Sequence, residues 1–131
     1  MNIELEKCLI EKAIAAARLA YAPYSKYHVG AALLSKSGEI YTGCNIENAS
    51  YPVGLCAERV AIACAISDGN RDFKAIVITG GDDYCFPCGM CRQALAEFAD
   101  ADFKVVVAKS EKETKVYKLS ELLPESFVLD K

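Results

Sequence analysis

Two apolar runs constrain this chain more than anything else in it. Phe73 to Thr79 is a nearly continuous aliphatic stretch, and Lys104 to Ala108 is a second, shorter one. Each has the length of a strand rather than of a helix. A strand wetted on one face alternates apolar with polar residues, whereas one apolar at almost every position is covered on both. Phe73–Thr79 therefore reads as a central strand with helices on either side. Helical patterns alternate with the strands along the chain, which implies an α/β fold: a three-layer α-β-α sandwich around a mixed central sheet.

The remaining elements follow from periodicity and punctuation. Leu5, Leu9, Ala13, Ala16 and Ala20 recur at helical spacing, so a helix is expected from Ile3 to Ala20, with Pro23 stopping it. Tyr21 to Tyr27 is an aromatic-rich loop. His28–Leu34 and Glu39–Cys44 read as a hairpin around Ser35-Lys36-Ser37-Gly38. Helices are expected over Cys56–Ile66 and from about Cys88 to Phe98, then a short strand near Val116 and a helical turn at Ser120–Leu123 before Pro124. No repeat, low-complexity run or linker interrupts the pattern, so residues 1–131 read as a single catalytic domain.

Composition narrows the function. Apolar residues make up 53% and charged ones 25% of the 131 residues, which is globular. Net charge is −3, and no Lys/Arg cluster appears in the sequence. Nucleic-acid binders need a basic face to displace counterions, so the balance points to a small substrate, not DNA or RNA. No 18-residue apolar run is present, and the acids spread among the apolar positions from Met1 to Ala20 are wrong for a signal peptide. The expectation is a cytoplasmic protein, away from the membrane, whose seven cysteines are reduced thiols.

The chemistry concentrates in Cys56-Ala57-Glu58-Arg59 and Pro87-Cys88-Gly89-Met90-Cys91-Arg92. Cys56, Cys88 and Cys91 are soft ligands suited to zinc, which takes four; three protein ligands leave one position for water. Cys56 and Cys88 fall at expected helix starts, where the partial positive charge lowers thiol pKa. Three thiolates overcompensate the metal's charge, and Arg59 and Arg92 are placed to offset it by donating to sulfur. Glu58 reads as a proton carrier rather than a ligand. Asn45 and Glu47, two apart in an extended segment, share a face and match sugar hydroxyls. His28, the one histidine, has no partner at ligand spacing and reads as structural. One alternative stays open: Cys85 also forms a Cys-x-x-Cys with Cys88, and a fourth sulfur would close the site into a structural one.

These motifs resemble the zinc deaminase signature, in which a Cys-rich zinc site sits beside a Glu that is not a ligand. More closely, the chain resembles the small cytidine deaminases. Tyr21-Ala22-Pro23-Tyr24-Ser25, Gly43-Cys44-Asn45-Ile46-Glu47-Asn48-Ala49, Cys56-Ala57-Glu58-Arg59, Cys88-Gly89-Met90-Cys91-Arg92-Gln93 and Glu121-Leu122-Leu123-Pro124 match in order. The resemblance implies one Zn2+ per subunit on Cys56, Cys88 and Cys91. It implies hydrolysis of cytidine and deoxycytidine to the uridines plus ammonia, with activated water attacking C4 and Glu58 shuttling protons, in pyrimidine salvage. It places Asn45 and Glu47 on the ribose, the Ala57 backbone on the base, and Tyr27 where the family usually has Phe. It further implies a homotetramer with sites near subunit interfaces, Tyr51 and Phe127 reaching a neighbouring site. The runner-up is a blasticidin-type deaminase, a relative without the Asn-x-Glu pair or the Arg after Cys-Ala-Glu.

Overall fold

The computed structural model describes residues 1–131. Five strands form one sheet in the order β2-β1-β3-β4-β5. They are β1 (Val29–Ser35), β2 (Ile40–Cys44), β3 (Phe73–Gly80), β4 (Lys104–Ala108) and β5 (Thr114–Lys118). Only β3 and β4 run parallel; β1 pairs antiparallel with both β2 and β3, and β5 antiparallel with β4. The sheet is mixed because the β3–β4 connection is a helical crossover, while hairpins flank it.

Side chains of the inner strands sort by the strand's period of two. Leu33, Ile76, Ile78, Val105 and Val107 face one way, into a core with α2 (Ala57–Ser67) and α3 (Gly89–Ala96). Ala32, Leu34, Val77, Val106 and Ala108 face the other way, onto Leu9, Ile10 and Ala13 of α1 (Ile3–Ala17). Both sides of β1, β3 and β4 are thus dry, which is why their sequences do not alternate. A last helical turn, α4 (Leu119–Leu122), follows β5.

Asn2 caps α1 by accepting from Leu5 N–H at 2.7 Å. The helix stops at Ala17, earlier than the Ala20 expected from the alanine spacing. The reason is tertiary. Tyr21 N–H donates to Asn45 O at 3.0 Å and Glu47 N–H to Tyr21 O at 2.8 Å, so the chain must already be extended at Tyr21. After the extended Asn45–Glu47 segment, a short 3-10 helix forms at Tyr51–Val53.

Gly43 sets how closely α2 approaches the sheet. A Cβ there would lie 2.4 Å from Ala57 O and 2.6 Å from Ala61 N, both backbone atoms of α2 that cannot swing aside. Gly43→Ala is therefore expected to cost about 1–3 kcal/mol, the usual range for overpacking. Urea unfolding would show it as a lower midpoint at an unchanged slope. Because α2 carries Glu58 and follows Cys56, zinc affinity is expected to fall in the same variant.

Candidate metal centre and its cavity

Cys56 is the N-cap of α2 and Cys88 the N-cap of α3, and neither side chain caps its own helix. Both thiols are consequently free to turn outward while two helix N-termini aim positive ends at the same point. Cys91 lies one turn into α3 and is fully buried. Sulfur separations are 3.8 Å for Cys56–Cys88 and 3.5 Å for Cys88–Cys91, and the three atoms lie within 4.8 Å of one another. Tetrahedral zinc with Zn–S near 2.3 Å requires sulfurs roughly 3.8 Å apart. The donor set and its spacing thus fit zinc.

Electrostatics around the sulfurs favour a thiolate at Cys56 and oppose one at Cys91 while the metal is absent. Hydrogen bonding with Cys91, helped by Arg59, pulls the Cys56 thiol down to about 5. The same contact and burial push Cys91 up. A metal displaces both protons, so the pair would bind as thiolates. Arg59 Nη2 donates to Cys56 Sγ at 3.6 Å, and its buried Nε has no partner, leaving an unspent donor beside the sulfurs. Arg92 departs from the expectation. Its Nε donates to Pro87 O and its Nη1 to Leu122 O, both at 2.7 Å, so it ties the metal loop to α4 instead of donating to sulfur. The missed signal was the C-terminal Glu121-Leu122-Leu123-Pro124 segment, whose open helix-end carbonyl needs a donor.

Cys85 does not join the cluster of three. It packs on the α2/α3 core and beside Tyr27, whose phenol its thiol, with burial adding, pushes up to about 12. The arrangement disfavours the closed four-sulfur site. Cys85→Ala is expected to retain a full zinc equivalent by metal analysis; loss of the metal would restore that alternative.

A cavity of about 850 Å3 opens over the cluster. Glu58 lies in its wall, 4% exposed, and burial, with the Cys56 charge adding, holds its carboxyl above the ordinary carboxylate value. Tyr27, Asn45, Glu47, Tyr51 and Ala57 also line it. Asn45 and Glu47 do share the cavity, but each is partly engaged. Asn45 Oδ1 accepts from Val29 N–H and its Nδ2 donates to Tyr27 O, both at 2.8 Å. Glu47 Oε1 accepts from Tyr24 N–H at 3.0 Å and Ser25 N–H at 3.2 Å; the Ser25 hydroxyl, with these backbone donors adding, holds its carboxylate below the usual range. Sequence reading missed this bracing role of Tyr24 and Ser25. Phe127 is not in the wall. It is exposed on the C-terminal tail, where Gln93 Nε2 donates to its carbonyl at 2.9 Å.

Known proteins resemble this chain in sequence and fold. The family model for the cytidine and deoxycytidylate deaminase zinc-binding region matches residues 3–109. A cytidine deaminase of Halalkalibacterium halodurans is 46% identical over 93% of both chains. The crystal structure of cytidine deaminase from Burkholderia pseudomallei superposes with a TM-score of 0.86 at 42% identity, covering 92% of this chain and 97% of that one. A blasticidin-S deaminase of Bacillus cereus matches more narrowly, at 36% over 63% of this chain and 65% of its own. Three cysteines at zinc spacing on two helix starts, a buried glutamate beside them and these matches together show that the chain belongs to the zinc-dependent cytidine deaminase family.

Proposed function

We propose that this protein hydrolyses cytidine and 2'-deoxycytidine to uridine and 2'-deoxyuridine, one water entering at C4 and one ammonia leaving. The observation that carries the reading is the buried Glu58 carboxyl opening into the same cavity as the cysteine cluster. Zinc held by Cys56, Cys88 and Cys91 would supply a Lewis acid that makes water acidic enough to attack at neutral pH. Glu58 takes the proton of the attacking water, delivers it to N3 of the ring and assists the departure of the amino group. Its burial suits that work, since a carboxyl pushed upward holds a proton longer than a solvated one. Arg59 and the two helix N-termini offset the surplus charge of three thiolates. The Ala57 backbone meets the base, and the Tyr27 ring packs against it.

Glu47 and Asn45 hold the ribose. Oε2 of Glu47 is free of the backbone bonds that fix Oε1, and the Asn45 amide retains one N–H. Glu47→Ala is expected to raise KM for cytidine at least tenfold while leaving hydrolysis of free cytosine unchanged within about twofold. Equal effects on the two would remove the ribose assignment.

The subunits assemble as a homotetramer in this reading, with Tyr51 and Phe127 reaching a neighbour's cavity. Support comes from exposed apolar side chains at the cavity and on the C-terminal tail: Tyr51 is 80%, Met90 65% and Phe127 69% exposed in the isolated chain. No helix is long and apolar enough to cross a membrane, and a cytoplasmic setting fits seven unbridged thiols. The test is ammonia release from cytidine, deoxycytidine and cytidine 5'-monophosphate by protein of known zinc content. Turnover of the first two supports the proposal; zinc-loaded protein inert on both refutes it. Asn45, Glu47 and Arg59 favour these substrates over an aminoglycosyl-cytosine antibiotic.

A further inference from the structure

The parallel strands β3 and β4 end side by side, and a second cavity of about 750 Å3 lies at their carboxyl ends. Tyr27 lines this cavity and the first, standing between them. Four basic side chains line it, brought from three separate stretches. Arg18 comes from the C-cap of α1, Lys26 and His28 from the loop ahead of β1, and Lys109 from the residue after β4. Asp82 is the one carboxylate in the lining.

The protein answers only part of that charge, through Asp82 in the lining and Glu113 beside Lys109. Arg18, Lys26 and His28 form none of the structure's ion pairs and donate no side-chain hydrogen bond; Lys109 meets Glu113 only at 3.7 Å. In a chain of net charge −3, acids were available to pair them. Like charges gathered around a concave surface repel one another, and a bound anion offsets the repulsion. Lys26 also holds a φ of 61°, a left-handed backbone that a residue with a side chain seldom adopts. The carboxyl ends of adjacent parallel strands are where open α/β sheets commonly receive ligands. Arg and Lys together match the several oxygens of a phosphate.

We propose that this cavity binds a phosphate-bearing small molecule, at a site separated from the deaminase cavity by Tyr27. The ligand class is a di- or triphosphate, free or carried on a nucleoside, since Arg18, Lys26 and Lys109 set against Asp82 leave more positive charge than a monoanion offsets.

Calorimetric titration of the zinc-loaded protein tests it, using inorganic triphosphate and, separately, adenosine 5'-triphosphate at an ionic strength fixed with chloride. A purine nucleotide is used so that occupancy of a pyrimidine cavity does not intrude. The expected result is saturable binding at one per chain. Arg18→Ala/Lys109→Ala should weaken it at least tenfold, and Lys7→Ala/Lys12→Ala, which removes two exposed lysines elsewhere on α1, less than twofold. Equal affinity for both probes assigns the phosphates alone; tighter binding of the nucleotide adds a nucleoside contact. Absence of saturable binding, or equal weakening by the two double substitutions, overturns the proposal. If the first double variant lacks the wild-type circular dichroism spectrum, Lys109→Glu takes its place, with a loss of at least fivefold expected. Turnover is not read, so failure here leaves the cytidine reading intact, and failure of that reading leaves this one.

Discussion

Glu58→Ala is expected to keep a full zinc equivalent and to lose roughly 10^3-fold in kcat, the scale of positioned acid–base catalysis. That factor corresponds to about 4 kcal/mol of transition-state stabilisation. The two halves of the expectation separate because Glu58 lies beside the sulfur cluster without belonging to it. The substitution should not destabilise the protein much. The carboxyl is 4% exposed and held above its ordinary value by burial, so its charged form is costly to the fold. Removing it leaves a small cavity and relieves that cost. Glu58→Gln keeps the shape but can neither accept nor release a proton, so it should be as inactive as the alanine variant. Metal analysis and loss of cytidine absorbance on one sample check the zinc content and turnover of both variants, and a thermal melt checks their stability; turnover within tenfold of wild type contradicts the proton role.

Cys88→Ala is expected to abolish both zinc and measurable deamination. Cys88 is the informative ligand because it is exposed at the N-cap of α3, whereas Cys91 is fully buried. Truncating Cys91 would mix loss of a ligand with a cavity in the core. At Cys88 the packing change is slight, so a fall in thermal stability reports lost metal binding. The wild-type protein stripped by a chelator should melt at the same temperature as Cys88→Ala. Added zinc should restore the former and leave the latter unchanged. A variant that keeps its zinc would show that the ligand set is wrong.

Most of the scaffold was legible because its strongest elements are locally consistent. β3 and β4 announce themselves by unbroken aliphatic runs, and their two-sided burial is the cause of those runs. The cysteine motifs were legible for a related reason: a metal fixes both residue type and spacing. What escaped was decided by contacts distant in sequence. The end of α1 is set by Tyr21 pairing with Asn45 and Glu47, which no helix propensity encodes. Arg92 reads as a partner of sulfur from its neighbours, but its Nε and Nη1 donate to Pro87 and Leu122. Asn45 turns out to be a strut as well as a lining residue. The basic cavity could not be read at all, since Arg18, Lys26, His28 and Lys109 meet only after folding.

Three sulfurs, and not four, are expected to hold the metal, so that one position remains for water. X-ray absorption at the zinc edge of the wild-type protein measures this directly. Three sulfur scatterers near about 2.3 Å and one oxygen or nitrogen scatterer near about 2.0 Å are the expected shell. Four sulfurs would bring Cys85 into the site and contradict the account.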